Sequence, residues 1–218
     1  MKTLYFIRHG ESLANTGAKS MPDRDIPLTE LGQQQARELA KKWQTPPNKI
    51  YCSQMLRSQQ TAQAFCDKFQ LNTNTDYESC YDSTYEVLPW LNEFGCLGYA
   101  TIEGMMGKER AVLAKQYWQT ADLEHRDSHD SDSFADFLAR VDNLISQLDE
   151  FEDNSLFFGH GIWIGLLAWR LMGCQFKDNA DMRRFRQFQT AMPMANTVVY
   201  RLLLSGEVRQ LQWVDMES

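Results

Sequence analysis

The sequence predicts an α/β fold, a mostly parallel sheet covered by helices, and three observations carry that prediction. Short apolar runs at residues 4–7, Lys49–Cys52 and 156–158 are brief, aromatic and β-branched, as buried strands are. Segments with helical spacing lie between them, and strand alternating with helix is the pattern of parallel sheets covered by helices. Only near residue 205 do two strand-like runs follow each other directly, as an antiparallel hairpin at one edge would.

In chain order, the first run ends abruptly in Arg8-His9-Gly10. Ligand sites of open α/β sheets lie beyond the carboxyl ends of strands, so this pair is placed where a ligand would sit. A polar loop spans residues 11–27, with Asn15, Gly17, Pro22 and Pro27, and is long enough to be functional. Thr29 then reads as a helix N-cap, and Leu31, Ala36, Leu39, Ala40 and Trp43 form a core-facing stripe that Pro46-Pro47 ends. Lys49–Cys52 is the second strand, and helix Leu56–Phe69 follows with Leu56, Ala62, Phe65, Cys66 and Phe69 near one face. Arg57 lies in its first turn, where backbone N–H groups also favour anions.

Residues 71–132 are the least regular part and read as an insertion over the sheet edge, a candidate lid. Within it, residues 85–91 resemble a strand, Gly98, Glu103 and Gly104 mark turns, and residues 108–118 resemble a helix. Ser133 caps the clearest amphipathic helix, with Phe134, Phe137, Leu138, Val141, Leu144, Ile145 and Leu148 at three- and four-residue spacing. The strand at 156–158 ends in Gly159-His160-Gly161, repeating the arrangement at His9, and a buried helix follows over 162–172. The hairpin pairs 197–204 with 207–214 through Ser205-Gly206. The whole of 1–218 is read as a single domain.

Net charge is −7, which argues against a nucleic-acid scaffold and makes any local positive pocket more telling. Cys52, Cys66, Cys80, Cys96 and Cys174 are scattered and form no CxxC pair, so reduced thiols in a cytoplasm are expected rather than disulfides or a zinc knuckle. Neither a signal peptide nor a bilayer-spanning segment is expected. His125 and His129 lie four apart among carboxylates, a spacing compatible with a metal, but a charged run of this kind is read as a solvated loop.

If the strands are parallel neighbours, Arg8, His9, Arg57 and His160 converge on one mouth of the sheet. Two imidazoles and two guanidiniums form a pocket for a dianion, and guanidinium forks match phosphate oxygens. An imidazole nitrogen is a competent nucleophile toward phosphorus, and clamped equatorial oxygens stabilise phosphoryl transfer. A carboxylic acid would protonate the leaving alcohol, with Glu93 and Glu86 as candidates.

Arg8-His9-Gly10-Glu11-Ser12 resembles the opening motif of the histidine phosphatase superfamily, also called the phosphoglycerate mutase-like family. Asn15, residues 28–36, Ser53, Arg57 and Gln60-Thr61-Ala62 resemble its next segments in order. Leu91-Asn92-Glu93 with Gly98 and Glu103-Gly104, then 133–141 and Gly159-His160-Gly161, complete the set over almost the whole chain. The resemblance implies a three-layer α/β/α sandwich and a phosphorylated nucleophile at His9. It implies that Arg8, Arg57, His160 and Asn15 bind the phosphoryl group, with Gly161 offering its backbone N–H, and that Glu93 is the proton donor. It also implies no metal and no organic cofactor. Where the family has Gly-Glu-Ser before the long helix, this chain has Ser131-Asp132-Ser133 behind Asp130, and Ile102 stands where an aromatic is common.

The expected activity is phosphomonoester hydrolysis on a small phosphorylated metabolite. A cofactor-dependent phosphoglycerate mutase and a non-catalytic phospho-ligand-binding relative are the alternatives. Lys108, Glu109 and Arg110 are present, but the mutases' adjacent arginines are absent between Tyr117 and His129, and Arg183-Arg184 occurs only later. The loop at 16–25 and the insertion at 94–132 are expected to choose among sugar phosphates, α-ribazole phosphate and phosphoglycerates. Oligomeric state stays open.

Overall fold

In the computed structural model, residues 1–71 and 85–216 are described, and Cys80 falls outside them. The sheet contains β1 (Lys2–Arg8), β2 (Lys49–Cys52), β3 (Glu86–Val87), β4 (Ser155–Gly159), β5 (Val199–Ser205) and β6 (Val208–Val214), in the order β3-β2-β4-β1-β5-β6. The first four strands run parallel, with β4 between β1 and β2, and β5 and β6 close one edge antiparallel. Parallel neighbours present their carboxyl ends at one rim, so the residues after β1, β2 and β4 meet there.

The period-two alternation of strands sends side chains to two cores. Ile7, Ile50, Leu156 and Phe158 face α1 (Glu30–Lys42) and α2 (Leu56–Phe69), together with Leu39, Trp43 and Phe65. Leu4, Phe6, Tyr51 and Phe157 face the opposite layer of α4 (Gly107–Thr120), α5 (Phe134–Ser146), α6 (Gly161–Leu171) and α7 (Asn179–Ala191). The three-layer sandwich is therefore observed.

The capping residues act as their chemistry demands. The Thr29 hydroxyl accepts from Gly32 N–H at 3.0 Å, and Ser133 forms a reciprocal capping box with Asp136. Leu31, expected in the core stripe, is 50% exposed because it falls in the first turn of α1 on the outer side. The strand expected at 85–91 is only Glu86–Val87. Pro89 cannot donate to a ladder, and a 3-10 turn, Pro89–Leu91, replaces it. The expected insertion at about 71–132 lies partly outside the described residues, at 72–84. Its described part holds β3, the 3-10 turn, the short α3 (Tyr99–Ile102) and α4. Helix α7 has no counterpart in the sequence reading. It buries only Met182, Phe185 and Gln189, too sparse a stripe to stand out.

Candidate active site

Glycine at position 10 is required by close approach. A Cβ there would stand 2.4 Å from the carbonyl oxygen of Gly32, so the loop after β1 lies directly against the start of α1. Gly10 N–H donates to Thr61 Oγ1 at 3.1 Å, tying the loop to α2 as well. His9, 5% exposed, is held in this turn with Nδ1 2.6 Å from Gly10 O. A carbonyl only accepts, so Nδ1 carries the proton and Nε2 keeps its lone pair. Burial first, then Arg57 and Arg8, push the His9 pKa down to about 3, so the ring is neutral at pH 7.

His160 follows β4 and is fully buried, with Nε2 2.8 Å from Ser53 Oγ. Ser53 Oγ accepts from Met55 N–H, and the hydroxyl's own proton has His160 Nε2 as its acceptor. That assigns the proton of His160 to Nδ1, which has no partner among the described residues. Burial, Arg57, His9 and Arg8 hold the ring well below the usual imidazole range, so it too is neutral. The His9 and His160 ring centroids are 5.1 Å apart.

Arg8 donates through Nη1 to Met194 O, while its buried Nε has no partner among the described residues. A Cβ on Gly161 would stand 3.5 Å from that Nε, so the first residue of α6 faces it. Asn15 turns its Oδ1 toward Ser12 N–H and Ser12 Oγ. Arg8 Nε and His160 Nδ1 are thus buried N–H groups at this rim with no partner among the described residues. A buried donor without an acceptor costs ~1–3 kcal/mol, and an anion with several oxygens relieves that cost.

Arg57 is placed at the same rim but is already engaged. Its Nη1 donates to Asp23 O at 2.7 Å and pairs with Asp23 Oδ1 at 3.0 Å, and Nη2 approaches Met55 Sδ at 3.0 Å. Its charge still acts on His9, His160, Arg8 and Glu93 alike, which places it within reach of all four.

Glu93 completes the cluster. Oε1 accepts from Phe94 N–H and Trp163 N–H, both at 3.0 Å, and Oε2 accepts from Ile162 N–H at 2.9 Å. The carboxyl therefore sits on the N-terminus of α6, with one oxygen less occupied than the other. Burial raises its pKa, against the pull of the Ile162 and Phe94 N–H groups and Arg57. Glu86, the other candidate, is on the outer strand β3 and pairs at 3.8 Å with Lys49. It is not part of the cluster.

Sequence reasoning missed Asp23, Met194 and Asn196. The Asn196 amide donates to His9 O at 3.1 Å and to Asn15 Oδ1 at 3.3 Å, bracing the rim from the loop before β5. No local signal marks these residues, since each acts through a contact distant in sequence. Among the described residues no group of three or more His, Cys, Asp or Glu is placed to hold a metal, and the His125 ring lies against Tyr117 instead. No described helix is long and apolar enough to cross a membrane.

Beside the cluster lies a cleft of about 980 Å³, reached by both Asn15 and Glu93. Its walls are the loop at 13–26, the segment 92–102 and the start of α4.

Two measurements check this geometry. Ser53→Ala frees His160 to adopt the wrong tautomer, and kcat/KM for a phosphomonoester falls about tenfold while the thermal midpoint stays within a few degrees. Unchanged kcat/KM would refute the tautomer assignment. The second concerns stability. Below pH 6.5 the unfolded chain protonates His9 while the folded chain does not, down to about 3. Acidification to pH 5 thus removes about 2 kcal/mol through His9 alone. Denaturant melts at pH 7.5 and 5 are expected to show a smaller loss, by that amount, in His9→Gln.

The sequence profile of the histidine phosphatase superfamily (branch 1) matches residues 4–214. The adenosylcobalamin/alpha-ribazole phosphatase of Salmonella typhimurium is 29% identical over 174 residues, covering 78% of this chain and 79% of that protein. A probable phosphoglycerate mutase, GpmB, of Yersinia pestis is 36% identical over 77 residues, only 35% of this chain and 36% of its own. The solved phosphoserine phosphatase of Entamoeba histolytica superposes with a TM-score of 0.70 at 21% identity, covering 100% of this chain and 98% of that one. A profile match that runs from β1 to the end of β6, over a sheet whose strand ends gather Arg8, His9, Arg57 and His160 at one rim, establishes that the chain belongs to the histidine phosphatase superfamily, branch 1.

Proposed function

We propose that the chain hydrolyses phosphomonoesters through a phosphohistidine at His9. The observation that carries this reading is the fixed tautomer of His9, whose unprotonated Nε2 shares its rim with Arg8 Nε and His160 Nδ1, donors without a partner among the described residues. Nε2 attacks phosphorus while the P–O bond to the leaving alcohol breaks, and Glu93 gives that oxygen its proton. Arg8, Arg57, His160, Asn15 and the Gly161 N–H hold the phosphoryl oxygens, matching the charge that spreads over them in the transition state. Glu93, now ionised, takes a proton from water. That water attacks phosphorus, the P–N bond breaks, and inorganic phosphate leaves with His9 restored.

The cleft favours an ester whose alcohol is larger than a three-carbon acid. Leu13, Met21, Ile26, Phe94, Leu97 and Tyr99 give it an apolar lining that a bulky alcohol would fill. The class includes the α-ribazole-type ester for which the Salmonella relative is named. A cytoplasmic setting fits Cys52, Cys96 and Cys174, which form no disulfide among the described residues.

Phosphate release from a panel of phosphomonoesters, with a chelator present and beside His9→Ala, tests the reading. Chelator-resistant release that vanishes in His9→Ala is expected. Interconversion of 3-phosphoglycerate and 2-phosphoglycerate without phosphate release would instead establish the mutase, and silence in both assays from folded protein would refute catalysis on the panel.

A further inference from the structure

The carboxylate of Glu93 is tethered to α6, but its main chain is held from elsewhere. Asp132, one residue before the cap of α5, and Arg140, two turns into that helix, form a bidentate pair with both N···O distances 2.9 Å. Asp132 Oδ2 also accepts from Gly95 N–H at 3.1 Å, and Asp132 N–H donates to Gly95 O at 3.0 Å. Arg140 Nη2 reaches Glu93 O at 3.4 Å. Among the described residues, every hydrogen bond to the main chain of residues 93–95 from outside that stretch comes from these two side chains or the Asp132 backbone. The pair is half-buried and lines the cleft beside Glu93.

We propose that Asp132 and Arg140 are positioning residues for proton transfer, setting where the Glu93 carboxyl stands relative to the departing oxygen. The inference rests on Glu93 being the donor. Three features favour this role over simple bracing. The pair grips the two peptide groups next to the acid rather than a remote part of the loop. The two gripping side chains are locked to each other by a bidentate pair, the contact that fixes direction as well as distance, so each single bond to the main chain is held in place. Because Arg140 cancels the charge of Asp132 at contact, a carboxylate can stand in a cleft built for dianions without repelling them. Displacing a reacting group by about 1 Å costs on the order of a hundredfold in rate, so a looser grip is visible in kinetics.

The test uses two esters in the intact protein. Glycerol 2-phosphate has an alkoxide leaving group that needs a proton, whereas the phenolate of p-nitrophenyl phosphate leaves without one. The readout is kcat/KM, which reports steps up to departure of the alcohol and is blind to later hydrolysis of the phosphoenzyme. For Arg140→Lys, which keeps the charge but not the fork, kcat/KM is expected to fall roughly 10- to 100-fold on glycerol 2-phosphate and less than about threefold on p-nitrophenyl phosphate. Vanadate affinity is expected to stay unchanged, since the phosphoryl cradle is intact. Equal losses on both esters, or no loss on either, would overturn the positioning role. Glu93→Gln runs alongside. If it shows the ester-selective loss and Arg140→Lys does not, the positioning inference alone fails. If Glu93→Gln loses both esters equally, the donor assignment fails and the inference with it. Should Arg140→Lys not fold, Asp132→Asn, which keeps an oxygen for Gly95 N–H but breaks the bidentate pair, carries the same comparison with the same outcomes.

Discussion

His9→Ala is expected to lower kcat by on the order of 10⁴- to 10⁶-fold, the scale seen when a covalent nucleophile is removed. The fold commits both nitrogens of this ring. Its Nδ1 proton is spent on Gly10 O, its pKa is pushed to about 3, and its Nε2 is the only nitrogen left to react. His160 presents an N–H rather than a lone pair, because Ser53 has taken its Nε2. Two readouts check the expectation. Wild-type protein quenched during turnover carries an acid-labile, base-stable phosphoryl group, and His9→Ala carries none. The variant also retains vanadate binding to within about tenfold, since the guanidiniums and His160 remain. Residual turnover within a hundredfold of wild type would show that phosphorus is attacked by water or by another group.

Glu93→Gln is expected to lower kcat/KM on alkyl phosphates by roughly 10²- to 10⁴-fold, the usual contribution of a placed general acid. The pH dependence gives the sharper test. The donor must be protonated, and burial holds the Glu93 carboxyl above the ordinary carboxylate range. Wild-type kcat/KM should therefore fall as pH rises through that raised value. His9 stays unprotonated until the pH approaches 3, so it imposes no loss over the same range. In Glu93→Gln the descent on the alkaline side should disappear, leaving a flat and low profile. A profile that keeps its descent would assign the limb to another group and exclude Glu93 as the acid.

The parts of this molecule legible in the sequence are those with local causes. Thr29 and Ser133 announce helix starts because a cap is satisfied within three residues. The apolar runs of β1, β2 and β4 stop at their functional residues because a buried strand must end where its side chains become polar. The structure departs from the apolar pattern at three places. Leu31 looks like core by spacing, but it stands on the outer side of the first turn of α1. Residues 85–91 look extended, but Pro89 turns the chain after two paired residues. Helix α7 leaves no clear periodic signal because its buried face is three residues wide and most of its surface is polar.

The sequence by itself determined the alternation of strands and helices, the family, and the placing of Arg8, His9 and His160 at strand ends and of Arg57 in the first turn of a helix. Those follow from periodicity and ordered motifs, which are properties of neighbouring residues. Tertiary structure alone decided that β4 lies between β1 and β2, so that the strand ends share one rim. It placed Glu93 against the N-terminus of α6 beside the cluster, and Glu86 on the outer strand β3 beside Lys49. It also brought in Asp23, Asn196, Asp132 and Arg140. Their effect comes from hydrogen bonds and charge, which act over a few ångströms of space, whatever the number of residues between the partners.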